Sequence, residues 1–209
     1  MLEAIDLECQ RGDRLLFTGL SLQVAAGSCL HVAGENGSGK TSLLRILCGL
    51  MAPTAGSVRW QGDEVRRLRE AYWETLAYVG HLNGVKDELT AAENVHIAAA
   101  IAGWPADADA VRSALHAFGL AGFEQRPARA LSQGQRRRIA LARLRCAGAA
   151  KLWILDEPFT ALDTRGVAAL SELIGTQLAR GGSVVLTTHQ DVALPVTVDR
   201  LELAVASHA

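Results

Sequence analysis

Eight consecutive residues, Gly34-Glu35-Asn36-Gly37-Ser38-Gly39-Lys40-Thr41, fit the spacing G-x-x-x-x-G-K-[ST]. The residue types suit one job. Glycines at 34, 37 and 39 let the backbone turn tightly with its N–H groups pointing inward, where they can cradle phosphate oxygens. Lys40 supplies a point charge for the outer phosphates, and the Thr41 hydroxyl can ligate Mg²⁺.

Two further constellations suit the same chemistry. Residues 152–155 (L-W-I-L) are an apolar run ending in Asp156-Glu157. Behind a phosphate loop, Asp156 suits a second contact to Mg²⁺, through water. Glu157 can polarise a water that attacks the outermost phosphate. Leu131-Ser132-Gln133-Gly134-Gln135 opens a helix over 136–145. A serine hydroxyl, a glycine N–H and a helix N-terminus together make a phosphate-binding device. The same residues also read as an ordinary N-cap, Ser132 with Gln135 three positions on, and both readings can hold at once. The basic run Arg136-Arg137-Arg138 reads as facing solvent or neighbouring carboxylates.

These residues need a scaffold, and hydrophobic periodicity supplies it. Residues 28–33 (S-C-L-H-V-A) read as a buried strand leading into the loop, and 41–50 carry apolar residues at helical spacing. Strands are expected over 2–7, 20–24, 57–61, 76–79, 151–155 and 183–188, the last ending at His189. Turns are expected at 11–14, 26–27, 53–56, 62–63 and 181–182. Arg66, Arg67 and Arg69 with Glu70 read as a solvated helix face. Thr90 and Glu93 form an expected capping box. From there to about residue 145 the chain is rich in alanine and poor in strand signals. That shift suggests an inserted helical lobe, roughly residues 85–145, interrupted near Trp104-Pro105 and Arg126-Pro127. Another helix is expected over 167–178.

Composition bounds the rest. A chain of 209 residues with 49% hydrophobic content can bury a sizeable core. A net charge of −1 gives no field that would draw in nucleic acid or an anionic membrane. No apolar run approaches the ~20 residues that cross a bilayer. Glu3, Asp6 and Glu8 interrupt any signal-peptide core. The expectation is a cytoplasmic protein that reaches a membrane only through a partner. Cys9, Cys29, Cys48 and Cys146 are far apart and read as small hydrophobes, not as a metal pair or disulfides.

The motif order is phosphate loop, L-S-x-G-Q, apolar strand with D-E, Ala161-Leu162-Asp163, then strand with His189. It resembles the nucleotide-binding subunit of ABC transporters over essentially the whole chain. The resemblance implies an α/β fold. A P-loop NTPase (RecA-like) core would carry an N-terminal antiparallel β subdomain and the inserted helical subdomain, as one domain spanning 1–209. It implies an ATPase with ATP and Mg²⁺ as ligands. Gly34, Glu35, Asn36, Gly37, Ser38, Gly39, Lys40, Thr41 and Ser42 would bind ATP, and Thr41 and Asp156 would hold Mg²⁺. Glu157 would be the catalytic base. His189 would reach the γ-phosphate, although a histidine there also reads as a cap or core residue. Leu131, Ser132, Gln133, Gly134 and Gln135 would contact the nucleotide of a second copy in a head-to-tail homodimer, and Asp163 would link the two sites. The partners would be integral membrane subunits. Nucleic acid is not expected, because members acting on DNA or ribosomes carry long coiled coils or two ATPase domains, and this chain has neither. The alternatives are the ATPase subunit of an ABC transporter with a different cargo from the one named below, or a slow-turnover, ATP-gated regulatory module.

A narrower resemblance rests on Leu15-Leu16-Phe17, Trp60-Gln61-Gly62, Val79-Gly80-His81, Gly84-Val85-Lys86, residues 153–161 (W-I-L-D-E-P-F-T-A) and Thr187-Thr188-His189-Gln190. Together they are similar to the ATP-binding subunit of the cytochrome c maturation (haem exporter) system. That implies a translocase subunit on the cytoplasmic face of a bacterial inner membrane, powering haem export or release of haem from a carrier. Two positions depart from the broader pattern. His81 stands where the family usually has a Gln, either making one hydrogen bond or serving only the loop. Upstream of the phosphate loop, where an aromatic usually stacks on adenine, stand Arg11 and Gly12. Arg11 would stack its guanidinium on the base, or base contact would be loose.

Overall fold

Alternating apolar residues at the start of the chain pair into a long hairpin. The computed structural model describes residues 1–190, 192–194 and 196–204. In it β1 (Leu2–Arg11) and β2 (Arg14–Val24) run antiparallel, joined by a tight turn at Gly12 and Asp13. Both strands are longer than the sequence pattern suggests. The pairing shifts register between Ala4 and Leu7, between Leu7 and Cys9 and between Cys9 and Gln10. Each bulge breaks the two-residue alternation by which a strand is recognised.

β3 (Cys29–Gly34) then enters the phosphate loop, and α1 (Lys40–Leu47) leaves it. β4 (Ala55–Trp60) and the two-residue β5 (Asp63–Glu64) return to the hairpin, giving a four-stranded sheet in the order β2-β1-β4-β5. The arginine-rich stretch forms two single-turn helices, α2 (Val65–Leu68) and α3 (Glu70–Trp73), broken where Arg69 takes a φ of 44°. β6 (Leu76–Val79) leads to the helices α4 (Ala91–Ile101), α5 (Ala108–Ala117) and α6 (Gln133–Ala142). The chain re-enters the core as β7 (Leu152–Leu155), α7 (Thr164–Ala179), β8 (Ser183–Leu186) and β9 (Val198–Leu203). β9 was not expected from the sequence. The parallel sheet has the order β6-β7-β8-β3-β9.

Its strands β6, β7, β8 and β3 are buried on both faces, as parallel strands usually are, while the edge strand β9 is largely open to solvent. Val79, Trp153, Leu155, Val184 and Leu186 face one cluster, which includes Leu115, Phe118 and Leu141 from the helical block and Leu170 and Ile174 of α7. Leu30, Val32, Ile154 and Val185 face the other, with Leu43, Leu44, Ile46 and Leu47 of α1 and Leu7, Leu22 and Trp60 of the antiparallel sheet. Each of the four α1 side chains is essentially inaccessible, worth roughly 1.5–3 kcal/mol of burial, so the helix behind the phosphate loop is firmly anchored.

Cys9, Cys29 and Cys48 are buried and Cys146 half-buried, all as free thiols, as expected of small hydrophobes. Burial pushes the Cys29 thiol up to about 12, which keeps it protonated and unreactive at neutral pH. Among the described residues no helix is long and apolar enough to cross a membrane.

Candidate functional site

The parallel strands β3 and β7 are separated in the sheet by β8. Their C-terminal ends carry the phosphate loop and the carboxylate pair, where ligands of open α/β sheets bind. The turn out of β3 requires glycine. Gly34 has a φ of 142°, and a Cβ there would meet the carbonyl oxygen of Leu203 at 2.5 Å. Gly39, with a φ of 102°, lies against Leu16 and Phe17 and begins α1. No side chain caps α1 and no acidic residue occupies its first turn, so its positive end is left for an anion.

Lys40 folds back over the loop. Its Nζ donates to the carbonyls of Gly34 at 2.7 Å and Glu35 at 2.9 Å. Ser38 is buried, and its Oγ has no partner among the described residues. Thr41 Oγ1 donates to Asp156 Oδ2 at 2.9 Å, which joins the two residues expected to hold Mg²⁺. Asp156 is buried, and its other oxygen accepts from Thr187 Oγ1 at 2.9 Å. The Thr187 hydroxyl also accepts the N–H of Glu157 at 2.9 Å, so one hydroxyl fixes both acidic residues. A hydroxyl and a buried carboxylate held together fit a small divalent cation with oxygen ligands, and the loop ahead of them fits a polyphosphate.

Glu157 has a φ of 49°. Its Oε2 accepts the N–H of His189 at 3.3 Å, and its Oε1 lies 3.4 Å from His189 Nε2 without making a hydrogen bond. The imidazole is about half exposed while the carboxylate is mostly covered. His189 is therefore seated beside Glu157 and still open to the cleft.

One cleft of about 670 Å³ collects Asn36, Gly37, Gly39, Lys40, Thr41, Ser42, His81, Asp156, Glu157 and His189. Gly34 and Glu35 line a neighbouring cleft with His31 and His189. Arg11 also lines the first cleft, at the place weighed for base stacking, and its Nη1 lies 3.2 Å from Met51 Sδ.

The residues 131–135 lie apart from that cleft in their own chain, none of them among its lining. Leu131 is buried. Ser132 and Gln135 form a full capping box: Ser132 Oγ accepts the N–H of Gln135 at 3.2 Å, and Gln135 Oε1 accepts the N–H of Ser132 at 2.9 Å. A Cβ on Gly134 would meet the Ala161 carbonyl at 2.9 Å, so the loop carrying Asp163 packs directly on this helix start. Asp163 caps α7 through the N–H of Gly166 and pairs with Arg138 at 2.9 Å. The Gly166 N–H, and then the Arg138 charge, hold its carboxyl below the usual range.

Three residues at the site were given no part in it by the sequence, and the outward-facing reading of one of them, Arg137, is corrected by the structure. Arg14 places its guanidinium 3.5 Å from where a Gly37 side chain would begin. In sequence it was one of four turn residues. Thr187 had one faint signal, a hydroxyl at the end of an apolar strand. Arg137 turns inward, whereas Arg136 and Arg138 meet Asp87 and Asp163 as the sequence suggested.

The sequence model of the ABC transporter family matches residues 17–160. The chain belongs to the ABC transporter family. This ABC cassette is 51% identical over 205 residues to the cytochrome c biogenesis ATP-binding export protein CcmA of Nitrosomonas europaea, covering 98% of this chain and 96% of that one. It is 54% identical over 200 residues to the protein of the same name from Aromatoleum aromaticum, covering 95% and 94%. Among solved structures it is similar to the dimeric ATP-binding cassette MJ0796 bound to ADP and Pi, with a TM-score of 0.83 and 23% identity over 97% of this chain and 96% of that one. That likeness shows the fold: an α/β P-loop NTPase core with an antiparallel sheet and a helical block.

Proposed function

We propose that this ABC cassette is the Mg²⁺-dependent ATPase of a membrane complex in c-type cytochrome biogenesis, powering haem export or haem release from a carrier. The names of its half-identical relatives support the biological setting. One observation carries the chemistry: Thr41, Asp156, Thr187 and Glu157 form a continuous hydrogen-bonded chain beside the phosphate loop.

The residues divide the work. The loop N–H groups and the N-terminus of α1 hold the phosphates, and Lys40 leaves its two carbonyls for the β- and γ-oxygens. Thr41 and Asp156 hold Mg²⁺, which offsets phosphate charge when bound. Glu157 accepts a proton from the attacking water, and His189 steadies that carboxylate and reaches toward the γ-phosphate. Ser132 and Gly134 complete the cage from a second copy, and Asp163 ties the copies together. The whole span 1–209 acts as one domain, with the helical subdomain of roughly 85–145 inserted in it. It works at the cytoplasmic face of the inner membrane through integral membrane subunits.

Glu157→Gln tests the chemistry. Phosphate release is expected to fall by roughly 10²–10⁴-fold with ATP binding retained, the range for loss of a general base. Unchanged turnover would remove Glu157 from that role. Co-purification tests the setting: recovery with small haem-handling membrane proteins supports it, and recovery with an amino-acid or lipid permease contradicts it.

A further inference from the structure

Arg137 has no part in the division of work above, yet it sits directly behind the carboxylates. It is 4% exposed. Its Nη1 donates to the Gly80 carbonyl at 3.0 Å and to Asn83 Oδ1 at 3.1 Å. Its Nη2 donates to the carbonyls of Asp156 at 2.9 Å and Glu157 at 2.7 Å. One rigid, planar fork therefore grips two segments more than 70 residues apart in the chain. One segment carries His81 and the other carries Glu157.

Two features show that the fork does more than fill space. The first is the backbone of Glu157. A φ of 49° is a conformation that a glutamate keeps only when its surroundings hold it. Thr187 holds the N–H side of that residue, and Arg137 holds the carbonyl side. The second is the segment that follows β6. His81 is exposed and Leu82 is 82% exposed, so this segment has little packing of its own to fix it. Burial lowers the Arg137 pKa, with Asp156 pulling the other way, and an arginine remains charged under such a shift. A charged donor beside four uncharged acceptors gives strong, directional bonds.

We propose that Arg137 is a positioning residue that couples the His81 segment to the Glu157 turn, so that displacement of residues 80–83 re-aims the Glu157 carboxylate. This rests on the reading of Glu157 as the base. The coupling is mechanical: the fork is planar, and pulling one pair of acceptors rotates the donors offered to the other pair.

The test uses the full chain assembled with its membrane subunits, comparing the wild type with Arg137→Met and Arg137→Lys. Turnover of Arg137→Met is expected to fall about a hundredfold, as for a small misplacement of a catalytic group. ATP affinity should stay within about threefold, since Arg137 meets no phosphate-loop residue. Lysine should restore only part of the rate. Hydrogen exchange of the full chain should speed up together at 80–84 and 157–161. Unchanged turnover, a parallel loss of ATP affinity and melting temperature, or faster exchange at only one of the two segments would overturn the proposal. If Arg137→Met does not fold, Asn83→Ala decides: it removes one of the four acceptors and should lower turnover with ATP affinity intact, and an unchanged rate contradicts the coupling. A wild-type complex that bound ATP without hydrolysing it would contradict the ATPase reading instead, and the paired exchange rates would still decide whether Arg137 couples the segments.

Discussion

Two helices in the same block begin with the same device and offer different things to a ligand. At α4, Thr90 Oγ1 accepts the N–H of Glu93 and Glu93 Oε2 accepts the N–H of Thr90. At α6, Ser132 and Gln135 make the same pair of bonds. Beyond the box they diverge. The N–H groups of Ala91 and Ala92 in α4 are spent on the carbonyls of Arg126 and Glu124, and Glu93 puts a negative charge on the helix end. At α6 the box is closed by a neutral glutamine, Gly134 presents no side chain, and the N–H groups of Gln133 and Gly134 have no acceptor among the described residues. One terminus is closed and the other is open to an anion. A cap stabilises a helix whatever surrounds it; unspent donors and the absence of a carboxylate make it a binding site.

The contrast can be broken most sharply by giving α6 the chemistry of α4. Gln135→Glu keeps the box and adds a charge where the partner's γ-phosphate would lie. Turnover is expected to fall tenfold or more, since like charges a few Å apart repel by roughly 1–4 kcal/mol. Thermal stability should hold or rise slightly. An unchanged rate would mean that no phosphate approaches this helix.

A smaller effect separates the two caps. Thr90→Ala and Ser132→Ala should each cost about 1 kcal/mol in urea unfolding, the usual value of an N-cap. Only Ser132→Ala should also slow ATP hydrolysis. Equal loss of activity in both would reduce the α6 box to a cap.

The smallest effect is a dependence on acid. The N–H and hydroxyl of Thr90 hold the Glu93 carboxyl below the usual range. A lowered folded-state pKa contributes stability that is present above the unfolded value, roughly 4.3, and is lost as pH falls through the folded one. Glu93→Gln should therefore flatten the acid limb of the stability curve below about pH 4. Gln135→Leu at the α6 box should not change the shape of that limb, because Gln135 does not titrate.

Much of the site was legible because its chemistry is local in sequence. The phosphate loop, the carboxylate pair and both capping boxes lie within short runs whose spacing alone states their geometry. What was hidden depends on contacts across the chain. β9 pairs with β3 from over 150 residues away, and its pattern V-D-R-L-E-L is too polar to announce a strand. Three consecutive arginines cannot reveal which one points inward, since a helix turns about 100° per residue and the burial partners of Arg137 are carbonyls. Thr187 gains its role only when β8 lies beside β7. The bulges of β1 erased the alternation that would have marked its full length.

The claim at the centre is that each ATP is held by Lys40 of one copy and Ser132 of another. Mixing two inactive proteins tests it most directly: Lys40→Ala, which lacks the phosphate contact, and Ser132→Arg, which blocks the open helix end. In a head-to-tail pair of the two, one site is doubly damaged and the other is whole. An equimolar mixture should regain about a quarter of wild-type hydrolysis, since half of randomly formed dimers are mixed and each carries one intact site. A mixture that stays as inactive as its components, although an affinity tag carried by only one of the two variants pulls down the other, would contradict the account.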